Sequence, residues 1–286
     1  MPSMTASDRL ASPDIAFIGG GNMARSLVGG LLRNGADATT IRVAEPIAAL
    51  RDALHADFGV RVFDDAAAAA ADAQVWVLAV KPQVLRKVCE SLAGMAQARR
   101  PLVVSIAAGI TSAQIARWLG GGITVVRCMP NTPALLGAGV TGLYANTAVD
   151  AAQRDIAQAL LSSAGETVWI DDEALMDAVT AVSGSGPAYV FLLAEAMIDA
   201  GIAEGLAPEA ARTLAVQTLL GAARMLTADD TPAAELRRRV TSPNGTTQTA
   251  IESFERDGFR AIVARAVHAA RTRGAELAAA NEGETT

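Results

Sequence analysis

The chain has 286 residues, which is enough for two domains of ordinary size or one large one. Apolar residues make up 51% of it but aromatic residues only 4%, so its core must consist mainly of Ala, Val, Leu and Ile. The net charge is −6 and there is no long basic run, which argues against a nucleic-acid partner.

The sequence is poor in groups that carry metal or nucleophilic chemistry. Its two cysteines, Cys89 and Cys128, are isolated, and its two histidines, His55 and His268, are far apart. So few groups give no zinc-ligand spacing, disulfide framework or Ser-His-Asp triad. We therefore predict no metal site and two ordinary core thiols in a reducing cytosol.

The N-terminal residues 1–13 are polar and lack the apolar segment of a signal peptide, which predicts a short disordered tail and a cytoplasmic protein. The most apolar later stretch, residues 189–202, is interrupted by Glu195 and Asp199 and is too short to span a bilayer. We expect no membrane partner.

From residue 14 onward, short apolar runs alternate with segments of helical period. Strands are predicted at residues 15–18, 41–44, 75–80, 102–106 and 123–127, and helices at 24–34, 46–57, 82–95 and 112–119. The run 75–80 is apolar on both faces, as a parallel strand between two helical layers requires. Residues 14–171 therefore predict a doubly wound, Rossmann-type α/β domain with a parallel sheet.

The strand signals end with residues 168–170, and the second domain, residues 172–286, is predicted to be all-helical. Its helices are expected at 173–182, 189–203, 209–226, 233–240, 247–255 and 259–277. The helix at 189–203 is apolar nearly all round, so we expect it in the interface of a homodimer built through this half. The alternative is a central helix inside a monomeric bundle.

A glycine-rich turn lies between the first strand and the first helix. It has the dinucleotide-binding pattern Gly-x-Gly-x-x-Ala, in the residues Gly19, Gly20, Gly21, Asn22, Met23 and Ala24. Gly19 allows the tight turn, Gly21 lets the backbone approach a pyrophosphate, and Ala24 lets helix and strand pack closely. The alternative is a purely structural turn.

An acidic residue, Glu45, follows the second strand, 21 positions after Ala24. A carboxylate there accepts hydrogen bonds from the adenosine ribose and repels a 2′-phosphate. We therefore expect NADH to be accepted at least as well as NADPH. Arg42 and Arg51 lie near enough in sequence to leave a phosphate-binding alternative open.

Three later strand ends should complete the cofactor cleft, because ligands of such sheets lie beyond the carboxyl ends of the strands. Their small residues admit a nicotinamide and its ribose, and Lys81 can reach cofactor hydroxyls or phosphate. The residues concerned are Ala79, Val80, Lys81 and Pro82 after one strand, Ala107, Ala108 and Gly109 after the next, and residues 129–133 after the third. Each segment could instead be a simple helix-entry turn.

Two segments of the second half are not helical in composition, residues 183–187 and 241–247. The second presents glycine, hydroxyls and backbone N–H groups at a helix start, where a small carboxylate can bind. Either segment could instead be only a kink or a cap.

With these segments the chain resembles the pyrroline-5-carboxylate reductase family, from about residue 15 to residue 277. The most specific stretches are 178–189 and 240–247, supported by 79–82 and 127–133. The resemblance implies hydride transfer from NAD(P)H to the C=N carbon of 1-pyrroline-5-carboxylate, which gives L-proline in the last step of proline synthesis. It also implies a dimer or a larger assembly of dimers.

The resemblance further assigns residues of this sequence to the substrate. It implies that Thr247 lies by the ring nitrogen and that Glu173 contacts the substrate. Backbone donors for the substrate carboxylate are implied at Ser242, Gly245 and Thr246.

This sequence departs from the family pattern in two places. Many members carry an asparagine that touches the cofactor where this chain has Asp64, Asp65 and Ala66. Asn244 stands where a glycine is common, and asparagine adopts left-handed conformations more readily than most residues.

Two other functions are consistent with a nucleotide domain followed by a helical domain. A hydroxyacid or phosphogluconate type dehydrogenase needs a catalytic lysine in the helical half, but the only lysines are Lys81 and Lys87. An iminium substrate already carries the charge that attracts hydride, so the proposed reduction needs no such lysine. The other rival is a nucleotide sensor without catalysis, against which the 241–247 loop argues.

Overall fold

The computed structural model of the chain describes residues 13–283. The tail predicted for residues 1–13 falls outside this range except for Pro13.

Within the described residues, eight strands form one sheet. They are β1 (Ile15–Ile18), β2 (Ile41–Ala44), β3 (Arg61–Phe63), β4 (Val75–Leu78), β5 (Leu102–Ser105), β6 (Val125–Met129), β7 (Gly139–Ala145) and β8 (Gly165–Trp169). Their order is β3-β2-β1-β4-β5-β6-β7-β8. Strands β1 to β6 are parallel, β7 runs antiparallel to β6, and β8 is parallel to β7.

The predicted parallel α/β sheet is confirmed, but no apolar pattern predicted strands β3 and β7. Strand β3 has only three residues, and it is an edge strand with none of them fully buried. Strand β7 contains two glycines, which break the apolar run that identifies a strand. One of them, Gly142, is required because a methyl group there would lie 2.5 Å from Val179 Cγ1.

Six helices alternate with these strands: α1 (Asn22–Arg33), α2 (Ala48–Phe58), α3 (Ala66–Ala70), α4 (Pro82–Arg99), α5 (Ser112–Trp118) and α6 (Ala151–Ser162). Helix α2 begins at Ala48, two residues after the expected start at Pro46. Ile47 precedes the helix in an extended conformation, and its N–H donates to the Glu45 carboxylate. Helices α3 and α6 were missed.

The sheet has an apolar core on each face, as a doubly wound fold requires. Ile15 and Phe17 belong to one cluster, whereas Ala16 and Ile18, which point to the opposite face, belong to the other. Trp76, the largest fully buried side chain, donates its Nε1–H to the Ala70 carbonyl oxygen at 3.2 Å. The helices thus cover both faces and leave the carboxyl ends of the strands for a site.

The chain continues as a short helix, α7 (Met176–Val179), a π-helical turn (Thr180–Gly184) and five longer helices. These are α8 (Gly186–Ala203), α9 (Pro208–Ala228), α10 (Ala233–Arg239), α11 (Thr246–Arg256) and α12 (Phe259–Gly283). No residue of α8 is buried, and Val190, Phe191 and Leu192 are 50%, 67% and 66% exposed. The alternative of a helix buried in a monomeric bundle is therefore wrong for α8.

The chain forms two compact units. Of the described residues, 13–184 and 270–283 form one unit, called the sheet unit below, and Ser185–Ala269 form the other, called the helical unit. Residues 172–184 belong to the sheet unit. Met176 and Ala181 are buried, and Asn131 Nδ2 donates to the Ser183 carbonyl oxygen at 3.2 Å.

Within the described residues, one helical stretch, Glu173–Ala203, is by length and composition able to cross a membrane. It is longer than the segment 189–202, because it also includes the helical turns that precede α8. Core helices of soluble proteins have the same length and composition.

Candidate active site

The glycine turn has the tight geometry that the sequence predicts. Gly19 has φ +108°, and a methyl group there would lie 2.6 Å from the Ala79 carbonyl oxygen. The Gly19 N–H donates to the Ala44 carbonyl oxygen at 2.9 Å. Only glycine fits this position, which joins the ends of β1, β2 and β4.

Beyond the turn, the amino end of α1 has no hydrogen-bond partner among the residues that the structure describes. The helix starts after Gly21 with neither a side-chain cap nor an acidic residue in its first turn. A methyl group on Gly21 would meet no atom within 4 Å. The first N–H groups of a helix need partners from outside the helix, so this end can bind an anion.

The carboxylate of Glu45 is fixed beside that helix end. The side chain is 7% exposed; its Oε2 accepts from the Gly20 N–H at 3.1 Å and its Oε1 from the Ile47 N–H at 3.0 Å. Each oxygen keeps a lone pair for a further donor such as a hydroxyl. Arg51 Nη1 donates to the carbonyl oxygens of Glu45 and Pro46, at 2.8 and 2.9 Å.

The other arginine considered from sequence is not available to a ligand here. Arg42 is buried, and its guanidinium pairs with Asp72 at 3.2 Å and with Asp14 at 3.9 Å. Of the two phosphate-binding candidates, only Arg51 lies beside Glu45.

A cavity of about 540 Å³ opens at the carboxyl ends of these strands. This volume is typical of small-molecule sites. The predicted residues that line it are Gly19, Gly20, Gly21, Glu45, Ala79, Val80 and Lys81. The unpredicted lining residues are Ile18, Ala44, Pro46, Asp64, Asp65, Ala66, Val84 and Val88.

The remaining predicted cofactor residues do not line this cavity: Asn22, Met23, Ala24, Pro82, Ala107, Ala108 and Gly109. Ala24 is buried and Met23 packs against the same apolar core, so both contribute to the packing of α1 on the sheet. Pro82 is the first residue of α4. Gly109 has φ +70° in the turn that follows β5, the neighbour of β4 in the sheet.

In the helical unit, the predicted substrate residues lie together where a loop enters α11. Asn244 has φ +57°, and its N–H donates to Gln248 Oε1 at 2.8 Å. The Gly245 N–H donates to the Ser242 carbonyl oxygen at 3.1 Å, and Gly245 precedes α11 without a side-chain cap. The loop thus leaves the amino end of α11 open.

Thr247 is the second residue of α11, and Thr246 is the first. Both side chains are exposed, as is that of Ser242, and the three hydroxyls make no hydrogen bond to any described residue. The junction therefore presents free hydroxyls together with helix N–H groups.

Glu173 lies in the sheet unit and is engaged by its own chain. Its Oε1 accepts from the Ser112 N–H at 2.6 Å and its Oε2 from the Ser112 hydroxyl at 2.7 Å. Arg127, 6% exposed, lies 3.4 Å from Glu173 and 3.5 Å from Asp177. The carboxylate thus ties the start of α5 to a buried guanidinium, a role that the sequence did not indicate.

Both cysteines are buried free thiols, as predicted. Burial, with a smaller contribution from the neighbouring Glu90 charge, raises the pKa of Cys89 to about 12, and burial also raises the pKa of Cys128. Neither thiol is a nucleophile near neutral pH.

Comparison with known proteins identifies the family. A model described as pyrroline-5-carboxylate reductase dimerisation matches residues 173–277, and one described as NADP oxidoreductase, coenzyme F420-dependent, matches residues 14–109. The pyrroline-5-carboxylate reductase of Pseudomonas aeruginosa is 55% identical over 269 residues, which cover 94% of this chain and 98% of that protein. The chain belongs to the pyrroline-5-carboxylate reductase family.

Solved pyrroline-5-carboxylate reductase structures agree. That from Coxiella burnetii is 42% identical, with a TM-score of 0.90, and covers 93% of this chain and 98% of its own. That from Plasmodium falciparum, solved with NADP bound, is 28% identical with a TM-score of 0.81 and the same coverage. The predicted family, fold class and use of NAD(P)H are confirmed, and the chain is an NAD(P)-dependent oxidoreductase.

In this member of the pyrroline-5-carboxylate reductase family, Asp64, Asp65 and Ala66 line the cavity although sequence reasoning noted only their departure from the family pattern. Asp65 caps α3, accepting from the Ala68 N–H at 2.9 Å. The aspartate pair just after a short strand was the available signal, but β3 was too short to be recognised.

Proposed function

We propose that the chain reduces 1-pyrroline-5-carboxylate to L-proline with NADH or NADPH. The observation that carries this is the uncapped amino end of α1, which faces open space beside Glu45 in a chain of this family. These features suit a dinucleotide, since N–H groups can hold its pyrophosphate and the carboxylate can hold a ribose.

For the cofactor, each group at the cavity has a proposed task. The turn Gly19–Met23 presents backbone to the pyrophosphate, Glu45 accepts from ribose hydroxyls, and Lys81 donates to a hydroxyl or phosphate. When bound, NAD(P)H supplies the hydride that reduces the C=N carbon. Further cofactor contacts are proposed at Ala24, Ala79, Val80, Pro82, Ala107, Ala108 and Gly109.

For the substrate, we propose the junction at α11. Backbone N–H groups at Ser242 and Thr246 bind the carboxylate, because an open helix start favours an anion. The Gly245 N–H joins them by sharing its hydrogen bond to the Ser242 carbonyl oxygen with the substrate. The Thr247 hydroxyl lies by the ring nitrogen and, if the neutral imine binds, relays a proton to it while taking one up from solvent. An iminium already attracts hydride, so positioning supplies most of the rate.

For the assembly, we propose a homodimer or an assembly of dimers built through the helical residues 172–286, with residues 14–171 as the nucleotide domain. The exposed apolar side chains of α8 support this, since a second copy can cover them. A covered α8 also accounts for its apolar character without a membrane. We further propose that the protein works in the cytoplasm.

The test is oxidation of NADH and of NADPH, followed by absorbance, on addition of 1-pyrroline-5-carboxylate to the purified protein, with L-proline identified as the product. We expect turnover with at least one cofactor. Binding of both cofactors without any turnover would overturn the reductase and favour the nucleotide sensor.

A further inference from the structure

A second carboxylate lies beside Glu45 at the edge of the cofactor cavity. In the parallel register of β2 and β3, Ala44 pairs with Phe63, and the Glu45 N–H donates to the Phe63 carbonyl oxygen at 2.9 Å. Glu45 and Asp64 are therefore the first residues after the paired ends of two neighbouring strands. Adjacent strands are about 4.8 Å apart, so the two acidic residues stand side by side.

The charge of Asp64 is not compensated by the protein. The side chain is exposed, lines the cavity, and makes no hydrogen bond or ion pair with any described residue. Asp65 differs, because its carboxylate is used to cap α3. Asp64 thus has no structural task that would account for an acidic side chain at this place.

The cations near the cavity do not offset this charge. Among the lining residues only Lys81 is cationic, and it follows β4, which β1 and β2 separate from β3 in the sheet. Arg51 is near Glu45, but its Nη1 is held by two backbone carbonyl oxygens. The β2–β3 end of the cavity therefore has a net negative field.

We propose that Asp64, acting with Glu45, makes this cavity select NADH over NADPH. Glu45 accepts hydrogen bonds from the ribose hydroxyls, and Asp64 repels the two negative charges that a 2′-phosphate adds at that position. This proposal takes one element from the proposed function, the placement of the adenosine ribose at the end of β2.

The test is binding of NADH and of NADPH to the full-length protein without substrate, followed by nicotinamide fluorescence. We expect the wild type to bind NADH at least about tenfold more tightly. Asp64→Asn should tighten NADPH binding about three- to tenfold and leave the NADH affinity within about twofold, which also shows that the variant is folded. Raising the salt concentration should shrink the wild-type preference.

Asp171→Asn is the matched control. It removes the same charge from an exposed, unpartnered position just beyond β8, at the opposite edge of the sheet, and should change neither affinity. Equal or tighter NADPH binding by the wild type, an unchanged NADPH affinity in Asp64→Asn, or the same gain in Asp171→Asn would each overturn the proposal. The binding measurement contains no substrate, so its outcome does not depend on whether the reductase assay shows turnover.

Discussion

The sheet unit and the helical unit bury their apolar side chains to very different extents. In the sheet unit, the strands β1, β2, β4 and β5 are buried at every position. In the helical unit, only Ala211 and Ala215 are buried, although α8 is among the most apolar segments of the chain.

The two units therefore reach stability by different routes. The sheet unit covers its apolar surface with its own helices. The helical unit leaves large side chains such as Phe191, Leu192 and Phe254 in contact with solvent when a single chain is considered. Burial of such side chains contributes about 1.5–3 kcal/mol each, so a second copy of the chain would contribute much of the stability of this unit.

The largest effect is expected from a charge placed on α8, which should disrupt the proposed dimer. Phe191→Glu should raise the dimer dissociation constant at least about a thousandfold, because a carboxylate would have to be buried unpaired where an aromatic ring was covered. Light scattering across a concentration series measures the mass. Phe191→Leu, which keeps an apolar side chain, should remain dimeric, and a Phe191→Glu variant with unchanged mass would remove α8 from the interface.

A second pair of variants separates folding from ligand binding in the sheet unit. Gly21→Ala should weaken NADH binding about tenfold to a hundredfold without lowering Tm, because the methyl group enters open space where the pyrophosphate is proposed to bind. Gly19→Ala should weaken binding and also lower Tm, since its methyl group would meet the Ala79 carbonyl oxygen. Calorimetry and cofactor titration give the two readouts, and normal NADH affinity in Gly21→Ala would contradict the assignment.

In the helical unit, a single hydroxyl is proposed to act at the reacting nitrogen. Thr247→Ala should lower kcat/KM by about one to two orders of magnitude, as expected for one hydrogen bond lost at the reacting atom. Thr247→Ser keeps the hydroxyl and should recover most of the activity. If steady-state kinetics of Thr247→Ala match the wild type, the threonine is only part of the helix start.

The smallest effect is expected at Glu173. Its hydrogen bonds to Ser112 and Arg127 and the substrate contact that the family resemblance implies make different predictions. Glu173→Gln weakens charged hydrogen bonds to Ser112 and Arg127, so we expect a loss of about 1–2 kcal/mol and a fall in Tm of about 2–6 °C. Glu166→Gln, at an exposed position in β8, should leave Tm unchanged. A raised KM with unaltered Tm would instead favour direct contact with the substrate.

The sheet was predictable where burial dictates composition. Strands such as β4 lie between two helical layers and must be apolar throughout, so their sequence identifies them. Strand β3 lies at the edge of the sheet and strand β7 contains glycines, so neither is apolar throughout. Their composition therefore does not identify them as strands.

The site was predictable where backbone geometry demands a residue type. Gly19 must be glycine because of its backbone conformation, and Glu45 directly follows the second strand; both line the cavity as expected. Asp64 was noticed but not placed, because its position depends on β3. The engagement of Glu173 by Ser112 and Arg127 depends on contacts between residues 61 and 46 positions apart, which no local pattern encodes.

The burial of both thiols has a practical consequence for experiments on this protein. Cys89 and Cys128 are the only cysteines in the sequence, and both side chains are inaccessible to reagents in the folded chain. A single cysteine introduced on the surface can therefore be labelled with a fluorophore or spin label without first removing the native ones, and distance measurements between two such labels can report directly on how the copies of the chain assemble.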